Sequence, residues 1–177
     1  MSNLKVAYMG GKQAGCIGLL ALGAGGYAPK AVVAYDHLVK SLAESLNIAV
    51  FPSIGESGFK EALSAADILV SVHGREIVPK NVLETPPLGG INVHPCLYSY
   101  KGANPVGRLL QDGNSTASVG VHRMTERVDE GEVLVEEFIQ VADKKTVDEV
   151  YNALYPFYAT MLLKALKIMG QRLEATD

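Results

Sequence analysis

Residues 5–35, KVAYMGGKQAGCIGLLALGAGGYAPKAVVAY, decide the architecture. Lys5–Met9 is a short apolar run that stops at Gly10-Gly11, as a buried strand does on entering a loop. Ala14–Ala24 carries Ile17, Leu19, Leu20 and Leu22 and reads as a helix that halts near Gly25-Gly26. Ala31–Tyr35 is apolar and rich in valine, which predicts a second strand. Strand, helix and strand in that order form the unit from which parallel sheets are built.

The alternation continues. His37–Leu46 is expected as a helix, Ile48–Phe51 as a strand, Phe59–Ala66 as a helix, Ile68–Val72 as a fourth strand and Gly90–His94 as a fifth. Asn104-Pro105 predicts a helix start, with Asn104 as N-cap and proline in the first turn, running to about Asp112. Ser118–His122 and Val133–Val141 read as strands flanking the turn-rich Thr125–Gly131. Thr146 and Glu149 form a capping-box pattern that opens a long C-terminal helix, with Val150, Leu154, Met161, Leu162, Ala165 and Ile168 at helical spacing. Pro156 is expected to kink or interrupt it. Without repeats, linkers or low-complexity tracts, residues 1–177 are expected to form one domain. Its class is α/β: a mostly parallel twisted sheet with helices on both faces and a long C-terminal helix.

Bulk composition narrows the function classes. Hydrophobic residues make up 48% and charged residues 20%, as in ordinary globular chains, and the net charge of −3 with mixed signs gives no footprint for nucleic acid. The apolar stretch Cys16–Ala28 is broken by glycines and too short to span a bilayer. Ser2 and Asn3 lead into the first strand without the features of a secretory signal. Cys16 and Cys96 lack disulfide or metal-ligand spacing and read as small apolar residues in a reducing, cytoplasmic setting, with no metal expected.

Ligands of open parallel sheets bind where loops converge at the strands' carboxyl ends. Gly10, Gly11, Lys12 and Gln13 follow the first strand and are candidate substrate contacts, either as a backbone nest for an anion or as a plain strand-to-helix turn. The spacing fits neither the Walker nor the dinucleotide glycine pattern. His73 follows the fourth strand and lies near the expected cleft. Asn92 and His94, two apart on the fifth strand, share one face and could together hold a carbonyl oxygen and the oxyanion formed on attack. Taken alone, the pair is explained more readily by a core histidine with one satisfied nitrogen.

The wider pattern adds specificity. Asn92-Val-His94-Pro95, Tyr100-Lys-Gly-Ala-Asn-Pro105, His122-x-Met124 and Val128-Asp129-Glu-Gly131-Glu-Val133 together resemble the catalytic domain of the folate-dependent formyltransferases. That superfamily includes nucleotide-sugar N-formyltransferases, methionyl-tRNA formyltransferase and glycinamide ribonucleotide formyltransferase. The resemblance is densest over residues 90–135, and the element order extends it to nearly the whole chain. It implies a Rossmann-like fold and an enzyme that moves a formyl group from 10-formyltetrahydrofolate to a primary amine. Asn92, His94 and Asp129 match the catalytic trio: Asn92 and His94 on the oxyanion, Asp129 orienting His94 and helping to move a proton. Arg75, Ile77 and Val78 match the loop that meets the folate, and ordinary hydrophobic anchoring of a turn would suit the last two equally. The chain departs from the pattern at Cys96-Leu97-Tyr98-Ser99, one residue shorter before Tyr100, which bears on substrate access.

For the acceptor, the expectation is a small-molecule amine, an amino-sugar nucleotide, ahead of glycinamide ribonucleotide or methionyl-tRNA; these 177 residues carry no basic surface for tRNA. A formyltetrahydrofolate hydrolase and a non-catalytic folate-binding module are the rivals from other classes. Monomer and homodimer both stay open. His122 is expected beside the site as a structural or substrate-contacting residue, His37 at an exposed helix start, and Glu130 and Glu132 as solvated turn charges.

Overall fold

The strand–helix alternation is realised in the computed structural model, which describes residues 4–175 and so leaves Ser2 and Asn3 outside the described residues. In chain order the elements are β1 (Val6–Gly10), α1 (Lys12–Ala24), β2 (Ala31–Ala34), α2 (His37–Ser45), β3 (Ala49–Phe51), α3 (Ser57–Ser64), β4 (Ile68–Val72), α4 (Lys80–Leu83), β5 (Gly90–Pro95), α5 (Pro105–Gln111), β6 (Thr116–Arg123), β7 (Val133–Gln140) and α6 (Val147–Glu174). One sheet contains all seven strands in the order β3-β2-β1-β4-β5-β6-β7. The first five are parallel, and β6 and β7 add on antiparallel. Every residue of β1 and β4 is buried, as expected of central parallel strands, whereas the edge strands β3 and β7 are partly exposed.

The strands' two-residue period divides the core. Tyr8, Val32, Val70 and Val93 face α1, α2, α5 and α6, whereas Ala7, Met9, Val33 and Leu69 face α3 and α4. The second face is thus covered by two short helices over β1, β2 and β4 only. The same face of β5 and β6 has no helix on it, and its side chains point into a cleft. Helix α1 lies close on β1 because glycine at 15 leaves room; a Cβ there would approach the Gly10 carbonyl carbon to 3.1 Å. The buried Tyr8 hydroxyl is satisfied by donating to the Gly15 carbonyl at 2.6 Å.

Most element boundaries fall within two residues of those read from the sequence; α4 was not anticipated, because four residues between prolines and threonine carry too little periodicity. Two expectations are corrected. Asn104 stands at the N-cap position of α5 but is left-handed (φ 51°) and makes no side-chain cap bond, so Pro105 starts this helix without a capping side chain. Of the kink or interruption expected at Pro156, the interruption is absent, because α6 is continuous for 28 residues; burial of Leu154, Tyr158, Met161 and Leu162 around it offsets the roughly 3 kcal/mol cost of proline in a helix interior. The Thr146–Glu149 capping box is formed as expected. Cys16 and Cys96 are both unpaired thiols, Cys96 in the core. Among the described residues no helix is long and apolar enough to cross a membrane, and no group of three His, Cys, Asp or Glu side chains is placed so that it could hold a metal ion.

Candidate active site

Sheet register builds the centre of the site. Asn92 on β5 is aligned with Ser71 on β4 and with His122 on β6, so three polar side chains stand in one row on the face that opens into the cleft. His94 lies two residues further towards the carboxyl edge on the same face. The β6–β7 connection then folds back and delivers Asp129 onto this row. Asp129 Oδ2 lies 3.0 Å from His94 Nε2, and its Oδ1 lies 3.2 Å from His122 Nε2. Asn92 Nδ2 is 3.5 Å from Oδ1 of Asp129 and 3.3 Å from His122 Nε2. The Gly102 amide donates to Asp129 Oδ2 at 2.8 Å, tying the loop after β5 to the same carboxylate. Asn92, His94 and Asp129, separated by up to 37 residues, are therefore one cluster.

The partners fix proton positions. His94 Nε2 faces two acceptors, Asp129 and the Gly102 carbonyl at 3.2 Å, so this nitrogen carries hydrogen. His94 Nδ1 is buried and has no partner among the described residues. His122 Nδ1 donates to the Arg123 carbonyl at 2.8 Å; its Nε2 then serves Asp129 when protonated and Asn92 when not. Asp129 is 7% exposed. Burial would raise its carboxyl, but hydrogen bonds from His122 and His94, the charge of His94 and the Gly102 amide outweigh that and hold it well below the usual carboxylate range. The cluster thus contains a permanently charged carboxylate at ordinary pH.

Two backbone features keep Asp129 in place. Its own φ is +56°, and of the six non-glycine residues with positive φ among the described residues, Lys12, His73, Asn104 and Asp129 line the cleft. Two residues on, a Cβ at Gly131 would lie 1.8 Å from the Arg123 carbonyl oxygen. No side chain rotation relieves a clash with backbone, which gives the Asp-x-Gly spacing a physical basis. Gly131→Ala is expected to displace the turn and to cost at least a hundredfold in turnover (about 3 kcal/mol at the transition state), while circular dichroism reports an intact fold; unchanged turnover would show that the turn does not position Asp129.

The cleft, about 510 Å³, contains Asn92, His94, His122 and Asp129. Arg75, Ile77 and Val78 all line it, on the loop after β4, with Val78 buried in the core and Ile77 75% exposed. Met124 and the half-exposed Val128 also line it. Glu76 holds the loop: its carboxylate accepts from Tyr35 Oη at 2.7 Å, Ser53 Oγ at 2.6 Å and the Ile54 amide at 3.1 Å. Burial raises its carboxyl, but the bonds from Ser53, Tyr35 and Ile54 outweigh this and keep it below its ordinary value.

Of Gly10, Gly11, Lys12 and Gln13 at the end of β1, only Lys12 lines the cleft. A nest for an external anion is not available there. The Gly11 amide is taken by the Val72 carbonyl, and the Lys12 amide donates to the carboxylate of Asp36, which also caps α2 through the Leu38 and Val39 amides. The chain's own carboxylate occupies the site an anion would use. His122, Glu76 and Asp36 are the residues that sequence reasoning passed over or left unassigned. Glu130 and Glu132 are exposed turn charges paired with Arg127 and Arg172, and His37 is exposed.

A sheet with its order reversing at β1, with an amide, an imidazole and a buried carboxylate gathered in a cleft at its carboxyl edge, is a Rossmann-like fold with its polar cluster where such sheets bind ligands. The sequence profile of the formyl transferase family matches residues 56–166, and the chain belongs to that family. It is 30% identical to methionyl-tRNA formyltransferase of Syntrophus aciditrophicus (strain SB) over 96% of this chain and 60% of that protein. It is 35% identical to the bifunctional polymyxin resistance protein ArnA of Wigglesworthia glossinidia brevipalpis over 55% of this chain and 15% of that one. The chain therefore spans 60% of the first of these relatives and 15% of the second. The crystal structure of phosphoribosylglycinamide formyltransferase from Anaplasma phagocytophilum has the same fold, with a TM-score of 0.81 at 18% identity, covering 97% of this chain and 89% of that one.

Proposed function

We propose that residues 1–177 form a single catalytic domain that transfers a formyl group from 10-formyltetrahydrofolate to a primary amine. The observation that carries this reading is the grip of Asp129 on His94 Nε2 at 3.0 Å beside Asn92, at an open sheet edge. The residues present suit the donor. Ile77, Val78, Met124 and Val128 offer apolar walls for a flat ring, and His94 Nδ1 is a buried polar atom that lacks a partner until a ligand supplies one.

In the proposed step the amine nitrogen bonds to the formyl carbon and the carbonyl π electrons move onto oxygen. Asn92 Nδ2–H and, with the ring protonated, His94 Nδ1–H donate to that oxyanion, while His94 Nε2–H stays on Asp129. The charged Asp129 orients the ring. The carbon–nitrogen bond to the folate then breaks, its electron pair returns to the folate nitrogen, and the proton lost by the amine ends there, with His94 as carrier. His122 holds Asn92 and Asp129 in register and acts on the reaction through them.

For the acceptor, the relative named methionyl-tRNA formyltransferase, matched over 96% of this chain, supports a tRNA-borne methionyl amine ahead of the amino-sugar nucleotide, which the ArnA match over 55% of this chain supports. The net charge of −3 does not weigh against it, because Lys12, Arg75 and Arg127 line the cleft itself. The test is tetrahydrofolate release from 10-formyltetrahydrofolate with methionyl-tRNA, an amino-sugar nucleotide, glycinamide ribonucleotide or no amine. Release is expected only with an amine, and fastest with methionyl-tRNA. Release without amine would mark a hydrolase, and none under any condition would end the transfer reading.

A further inference from the structure

His73 is the one cleft-lining histidine outside the cluster around Asp129. It follows β4 directly, in the left-handed region at φ +54°. Its ring packs edge-on to Tyr151 and Tyr158 of α6, with centroids 5.5 and 5.6 Å away and interplanar angles of 74° and 72°. Nε2 lies 2.9 Å from the Tyr158 hydroxyl.

That contact sets the tautomer. Tyr158 is fully buried, and burial holds its phenol in the protonated form. Among the described residues His73 Nε2 is the only hydrogen-bond partner of this hydroxyl, so its proton must be donated there. Nε2 is then an acceptor, and in a neutral ring the hydrogen sits on Nδ1. The ring stays neutral, because burial, Lys12 and His94 all oppose charge on it. No described residue bonds Nδ1, which belongs to a residue lining the cleft beside Lys12, His94 and Tyr151.

We propose that His73 determines acceptor specificity: its Nδ1–H, fixed as a neutral donor by Tyr158, binds a hydrogen-bond-accepting oxygen of the amine-bearing substrate. The proposal rests on the formyl-transfer reading and adds a residue that positions the amine without touching the formyl carbon. Tyr151 forms the adjoining wall, so the oxygen bound is one that lies beside a ring or an apolar segment of the acceptor. Because the donor is uncharged, its contribution does not change between about pH 5 and 9.

Two measurements test it. Nitrogen-15 NMR of the imidazoles in the wild-type protein is expected to show His73 as the Nδ1–H tautomer; the Nε2–H tautomer would overturn the proposal. In steady-state assays with whichever amine of the panel above is turned over fastest, His73→Phe keeps a ring against Tyr151 and Tyr158 but has no donor. It is expected to raise the acceptor KM about tenfold, the scale of one lost hydrogen bond, with a smaller change in kcat and an unchanged KM for 10-formyltetrahydrofolate. His73→Asn is expected to restore the acceptor KM to within about threefold, since its amide nitrogen stands near the place of Nδ1 and asparagine accepts a left-handed backbone. A working wild type beside a His73→Phe variant with unaltered acceptor KM would remove this inference alone. A wild type that turns over no amine would remove the formyl-transfer reading and the inference with it.

Discussion

His94→Ala is expected to lower kcat for formyl transfer by about 10²- to 10⁴-fold, with little change in the KM for 10-formyltetrahydrofolate. The size follows from what the ring does. In the proposed step it supplies one of two donors to the oxyanion and carries the proton to the leaving nitrogen, and both interactions gain strength only as charge develops. Asn92→Ala removes the other donor alone and is expected to cost about 10²- to 10³-fold. Asp129→Asn leaves the shape but puts an amide against His94 Nε2–H, and should approach the His94→Ala loss. Because the carboxylate works through the imidazole, His94→Ala with Asp129→Asn should cost little more than His94→Ala alone. Single-turnover rates on the four proteins check this. Losses that multiply would mean that Asp129 acts on substrate independently of His94, and a His94→Ala enzyme of normal rate would refute the mechanism.

The parallel half of the sheet was legible because Val6, Tyr8, Val32, Val70 and their neighbours are buried on both faces and show as continuous apolar runs. The trio was legible for a different reason. Two of its members lie two residues apart on one strand, and the third sits before a glycine that a clash of 1.8 Å makes obligatory. His122 could not be assigned, since its place beside Asn92 depends on the antiparallel register of β5 with β6, and residues 96–115, which fold elsewhere, lie between those strands. Glu76 was invisible as well: its three partners come from the ends of β2 and β3, and nothing local marks it off from an exposed loop carboxylate. The nest after β1 failed on the same ground, because the carboxylate that fills it is Asp36, 24 residues away at the end of the next strand. What local pattern cannot carry is which long-range partner satisfies a polar group.

The buried ring of His73 has a consequence for stability. A histidine in an unfolded chain titrates near 6.5, whereas His73 in the fold is held to about 4, first by burial and then by the positive charges of Lys12 and His94. Tyr151 and Tyr158, the groups facing it from α6, are neutral phenols at these pH values and do not compensate. Between the two values the unfolded chain binds a proton that the native one does not, so stability falls as pH falls through that window and is unaffected above it. The native-state value is depressed for a base, and the loss from this site across the window is about 3 kcal/mol. Asp129 obeys the other sign: its depressed carboxyl contributes stability above the unfolded value near 3.9, lost only at lower pH. The two effects therefore occupy separate ranges, and His73→Asn isolates the first, removing the titrating ring without straining φ +54°. Urea denaturation at pH 7 and pH 4.5 is expected to show the wild type losing about 2 to 3 kcal/mol more than His73→Asn. Equal losses would place the titrating group elsewhere and leave the ring of His73 free to charge in the cleft.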